Sequence, residues 1–141
     1  MNKPDKEFIR DHIKHIESTI TLLQEKNLEF EFSKLEQIGV ATLLMNFYTG
    51  VENILKELLL ARGVKIAKTS SWHKDILSNA VSLEIITDNL RLILLDYLIF
   101  RHYHTHGYGY MIKWEQVKQL AVSLPDAVAV FFQELKCQDY L

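Results

Sequence analysis

Residues 33–63 read SKLEQIGVATLLMNFYTGVENILKELLLARG. Leu35, Ile38, Leu44, Phe47, Val51, Ile54, Leu55 and Leu58 recur at mostly helical spacings. At 3.6 residues per turn they cover more than half of a helix circumference. Gly63 follows the last of them and suits the left-handed conformation of a helix C-terminal cap. The spacing predicts a helix from about Ser33 to Arg62. A helix apolar on more than one side sits at the centre of a bundle or inside a dimer. Glu52 and Lys56, four apart, read as an i, i+4 pair worth only a few tenths of a kcal/mol. Asn46 and Asn53, one heptad apart, either reach toward a site or face water, and the second is expected.

The flanking sequence supplies the partners such a helix needs. Phe8, Ile9, Ile13, Ile16, Ile20 and Leu23 recur at helical spacing with charged residues between them, which predicts a helix from about Asp5 to Glu25. His12 and His15 lie on it as surface or half-buried residues. After a loop over 64–71, Ser71 is placed to cap a short helix that begins at Trp72-His73 and carries Ile76, Leu77 and Ala80. Thr87 is placed to cap a fourth helix, with Leu90, Ile93, Leu94, Tyr97, Leu98 and Phe100 on its buried side. Its helicity is expected to persist to about Thr105, where Gly107 and Gly109 let the chain turn. A last helix starts near Lys113-Trp114 with Val117, Leu120, Ala121 and Leu124. Pro125 should kink or restart it before Val128, Val130, Phe131, Phe132 and Leu135 continue the pattern. No strand alternation and no long repeat is visible. The expected fold is an all-α bundle of four long helices and one short one, with residues 1–141 forming one domain.

Composition narrows the function classes. The chain has 141 residues and a net charge of −2, so bulk charge gives no argument for nucleic acid. From Tyr97 to Lys118 the balance differs locally: Arg101, Lys113 and Lys118 stand against Glu115, with three histidines besides, a small signal.

 The single Cys137 has no intrachain partner for a disulfide, which fits a reducing compartment. The charged segment Met1 to Lys6 shows no secretory signal. Leu90 to Phe100 is too short to span a bilayer and carries Arg91 and Asp96. The expectation is a soluble, cytoplasmic protein.

The chemistry concentrates in Phe100-Arg101-His102-Tyr103-His104-Thr105-His106-Gly107-Tyr108-Gly109-Tyr110, which holds three of the six histidines. Arginine is a permanent cation with a planar fork matched to phosphate oxygens. Histidine titrates near neutrality and can take or give a proton. Together they suit phosphodiester cleavage, in which a proton leaves a 2′-hydroxyl and charge builds on phosphorus. Tyrosines alongside can stack on bases. Arg101 and His106, five apart, lie roughly 140° apart on an undistorted helix. They converge only if the helix ends or bends near Gly107, or if a second subunit supplies the partner. A metal is the rival reading, because His102 and His106 have the i, i+4 spacing of a helical ligand pair. No carboxylate follows closely and no His-Glu-x-x-His pattern exists, so no metal is expected. The plain alternative is an aromatic helix end packed for structure.

Arg101-x4-His106-Gly107-Tyr108 resembles the R-x4-H-x-Y motif of HepT-type toxins of the HEPN superfamily, which are encoded with MNT-type nucleotidyltransferase antitoxins. Phe100-Arg101-His102, Tyr108-Gly109-Tyr110, Trp72-His73 with Ile76-Leu77, and the helix lengths extend the likeness. The resemblance implies a HEPN-like bundle and a metal-independent endoribonuclease whose dimer lines one cleft with two motifs. It implies that Arg101 stabilises the scissile phosphate and that His106 is the general acid or base. Tyr108 would receive AMP from the antitoxin. His102, His104 and Tyr110 depart from the pattern and are candidates to share the proton transfer or to receive the nucleotide. ATP and Mg²⁺ would serve the antitoxin's reaction; this chain is expected to need no cofactor. A different class of function is a non-catalytic protein of this fold that binds a nucleotide or presents substrate to a nucleotidyltransferase. A third is a helical dimerisation module with the cluster buried and dry. A homodimer through the second and fourth helices is expected, because their apolar surface exceeds what one small bundle covers.

Overall fold

The computed structural model describes residues 3–29, 31–105 and 113–140. Among the described residues five helices follow in order: α1 (Lys6–Gln24), α2 (Lys34–Ala61), α3 (Trp72–Ser82), α4 (Asp88–Tyr103) and α5 (Trp114–Cys137). No strand occurs among the described residues. The α3 helix, at 11 residues, is the short one.

The α2 helix packs against each of the other four. Phe47, Tyr48, Val51, Ile54, Leu55 and Leu59 on it are fully buried, as the breadth of its apolar surface requires. Ser33 caps it by accepting from the Glu36 N–H, and the Glu36 side chain accepts in return from the Ser33 N–H. That reciprocal pair satisfies two otherwise orphaned donors of the first turn. At the other end Gly63 takes φ +81°, a conformation that costs glycine little. Gly50 lets α1 close on α2, since a Cβ there would stand 3.0 Å from Ile16 Cγ1.

One core joins residues from Ile9 on α1 to Leu135 on α5, so all five helices share it. Asp5 caps α1 and Thr87 caps α4, each accepting from a backbone N–H of the first turn. Ser71 precedes α3 without a capping hydrogen bond. Its hydroxyl instead donates to Asp75 Oδ2 at 3.2 Å, so the expected cap is not made. Pro125 lies inside α5, which runs through it as one helix. The expected kink or restart is therefore limited to the one backbone donor that proline lacks. The regular part of α4 stops at Tyr103, with His104 at its C-terminal cap. A wider turn at 104–105 follows.

Most of the apolar surface of α2 is covered within one chain, and Leu35 and Leu60 remain exposed. Apolar exposure remains on α4 at Leu92, Ile99 and Tyr103, which share one side of the helix. The uncovered side of α2 is different in kind. Leu35, Thr42, Asn46, Thr49, Asn53 and Leu60 share one face by helical spacing. All but Asn53 are exposed, and none of these six is charged, while half-buried Lys56 and Glu57 flank them between Asn53 and Leu60.

Candidate functional site

Three helices converge on Arg101. It sits on the last turn of α4, where a cation also complements the negative end of the helix dipole. Its side chain is only 12% exposed. The guanidinium stands over the Tyr48 ring at 4.9 Å, a cation–π arrangement. Nη1 donates to Thr49 Oγ1 at 3.2 Å, and Nη2 donates to both Glu52 carboxylate oxygens at 3.2 and 3.1 Å. From the first turn of α3, His73 brings Nδ1 to 2.8 Å from Glu52 Oε2 and 3.0 Å from Arg101 Nη2.

Glu52 is the hub of this cluster and is 5% exposed. A buried carboxylate is tolerable only when its charge is paired and its lone pairs are satisfied. Here it is shared by a guanidinium and an imidazole. The Glu52–Lys56 pair read from the sequence is therefore not formed. Lys56 Nζ stands over the Trp72 ring instead, at 5.4 Å. The spacing carried a signal that was passed over: Tyr48, Glu52 and Leu55 share a helix face, so Glu52 interrupts an apolar stripe. A carboxylate in such a stripe points to a partner from another helix. Burial pushes the Tyr48 phenol up, so it stays neutral. Its hydroxyl is buried with no hydrogen-bond partner among the described residues.

The other candidates from the sequence divide. His102 and Tyr103 are exposed. The ring of His104 stacks on Phe100 with centroids 5.8 Å apart, and burial lowers its pKa. It lines an open groove of about 540 Å³ between α4 and α5, together with Phe100, Lys113 and Gln116. That groove does not include Arg101, so His104 is not part of the Arg101 cluster. His106, Tyr108 and Tyr110 lie outside the described residues. Asn46 is exposed as expected, whereas Asn53 is half-buried. Glu52, His73, Tyr48 and Thr49 were not singled out from the sequence as site residues.

Among the described residues, no group of three His, Cys, Asp or Glu could hold a metal ion. Nor is any helix there long and apolar enough to cross a membrane. The cluster can present one fixed cation to an anion and one imidazole to a proton, side by side where the last turn of α4 and the first turn of α3 meet α2.

A protein-family profile described as HepT-like protein matches residues 39–138, from within α2 to the end of α5. No curated protein and no solved structure shows a match to the chain.

Proposed function

This chain belongs to the HepT-like family of the HEPN superfamily, and from that premise we propose that it is a toxin endoribonuclease of a toxin–antitoxin pair. The observation that carries the reading is Arg101, a cation fixed by α2 and α3 and followed five residues later by His106. Arg101 stabilises charge on the scissile phosphate, and His106 is the general acid or base. The reaction uses no metal or cofactor of this chain. RNA cleavage by the purified protein in the presence of chelator is the direct test.

The active form is a homodimer joined through the exposed face of α2 that carries Leu35, Thr42, Asn46 and Thr49. Thr49 lies on that face and touches Arg101, so two copies meeting there bring two clusters to one cleft. The apolar stripe on α4 lies on the opposite side of that helix from Arg101, and a dimer built on it would hold the sites apart. Asn46→Arg places charge in the middle of the α2 face at an exposed position. It should turn a dimer into a monomer by light scattering and reduce cleavage, whereas Ile99→Arg should leave both unchanged. The reverse pattern would move the interface to α4, and a monomeric wild type would remove it.

Control is covalent. The partner is an MNT-type nucleotidyltransferase that uses ATP and Mg²⁺ to transfer AMP to Tyr108. The phenol oxygen displaces pyrophosphate from the α-phosphorus and gives up its proton. The added phosphodiester repels RNA phosphates and blocks the cleft. Tyr108→Phe should therefore escape neutralisation when the two proteins are expressed together. Intact-mass measurement after incubation with partner, ATP and Mg²⁺ should show adenylyl adducts on the wild type only. Adduct on Tyr110 alone would move the acceptor by two residues. A neutralised wild type without adduct would leave inhibition to complex formation.

A further inference from the structure

We infer that His73 is a second proton-transfer residue of the site and accepts the proton of the attacking 2′-hydroxyl, an inference that rests on the ribonuclease reading. The protonation state of its ring follows from its neighbours. Glu52 Oε2, an acceptor only, is 2.8 Å from Nδ1, and Arg101 Nη2, a donor only, is 3.0 Å from the same atom. A bare Nδ1 would set its lone pair against a carboxylate oxygen at the shorter distance. With Nδ1 protonated, the imidazole and the guanidinium both donate to one carboxylate. In the neutral ring the free lone pair then belongs to Nε2.

The placement suits a base. The His73 side chain is 33% exposed, while the carboxylate that holds it is 6% exposed. Nε2 has no hydrogen-bond partner among the described residues. The Trp72 ring lies 3.7 Å from the imidazole, centroid to centroid. The charged groups facing the imidazole are Glu52 from α2 and Arg101 from α4. Lys56 and Lys68 stand over the neighbouring Trp72 ring at 5.4 and 5.6 Å. Nη2 of Arg101 and Nδ1 of His73 are near enough that a phosphate held by the guanidinium lies beside the ring.

The step balances without a co-reactant. Nε2 of His73 takes the 2′-hydroxyl proton as O2′ forms its bond to phosphorus. The P–O5′ bond breaks with its electron pair passing to O5′, which takes a proton from His106. The products are a 2′,3′-cyclic phosphate and a 5′-hydroxyl end. Glu52 is a positioning residue that holds the ring through Nδ1–H and stabilises the imidazolium, as a carboxylate does behind a catalytic histidine.

His73→Asn separates this role from a structural one. The asparagine amide places an N–H close to the Nδ1 position, so the bond to Glu52 is retained while Nε2 is lost. At saturating RNA the variant should lose about 100-fold in kcat. Its Kd for an RNA carrying 2′-deoxy substitutions should stay unchanged, and the acidic limb of the pH–kcat profile should disappear. Wild-type kcat in His73→Asn would overturn the assignment, as would a loss that leaves the pH profile intact. If His73→Asn does not fold by circular dichroism, His73→Gln is assayed against the same criteria. Arg101→Ala is run in parallel. Cleavage lost in Arg101→Ala but kept in His73→Asn removes His73 alone. No cleavage by the wild type, or full cleavage by Arg101→Ala, overturns both readings.

Discussion

Arg101→Ala and His106→Ala should each lower the rate of RNA cleavage by about 10²–10⁴, while the all-helical circular dichroism spectrum persists. The two losses have different origins. Removing the guanidinium leaves the developing phosphate charge without its fixed cation. It also frees Glu52, which then sits buried beside the position where the phosphate binds and repels it. Arg101→Ala should therefore weaken binding of an uncleavable RNA as well as catalysis. Removing His106 takes away a proton path and should spare binding. Arg101→Lys should recover little, because an ammonium cannot reach Thr49 and both Glu52 oxygens with a planar fork. If both alanine variants cleave like the wild type, the motif is not the active site.

The second large effect is on stability. Glu52→Ala should lower stability by roughly 3 kcal/mol, seen as a fall in Tm on the order of 10 °C. The cost arises because Arg101, 12% exposed at the side chain, loses the carboxylate that balances its charge and keeps only the uncharged Thr49 and Tyr48 ring and the imidazole of His73. Replacing both partners, Glu52→Leu with Arg101→Leu, should recover most of the loss, since no unpaired charge then remains buried. A Glu52→Ala protein that melts with the wild type would mean that Arg101 reaches water freely and that the pair contributes little.

The fold was legible because its signals are local. The α2 helix is broad in its apolar surface, Thr87 caps where it was expected to, and Gly63 closes α2 with a positive φ. Failures were also local in cause. Ser71 prefers the Asp75 carboxylate to a backbone donor, and α4 gives up regular helix geometry two residues before Thr105. The site was half legible. Arg101 could be found from its neighbours in sequence, but its partners Glu52 and His73 lie 49 and 28 residues away. Their meeting depends on how α2, α3 and α4 are rotated about their axes, which one helix's periodicity does not fix. Glu52 could have been suspected from its apolar stripe. His73, at the start of a short helix, interrupts no apolar stripe, and only the Trp72-His73 likeness pointed toward it.

The claim that this chain cuts RNA is tested most directly by incubating the purified protein with end-labelled RNA in excess EDTA, beside Arg101→Ala. The account predicts wild-type fragments ending in 2′,3′-cyclic phosphate, with the variant at least about 100-fold slower. RNA left intact by the wild type, or cleavage that EDTA stops, would contradict it.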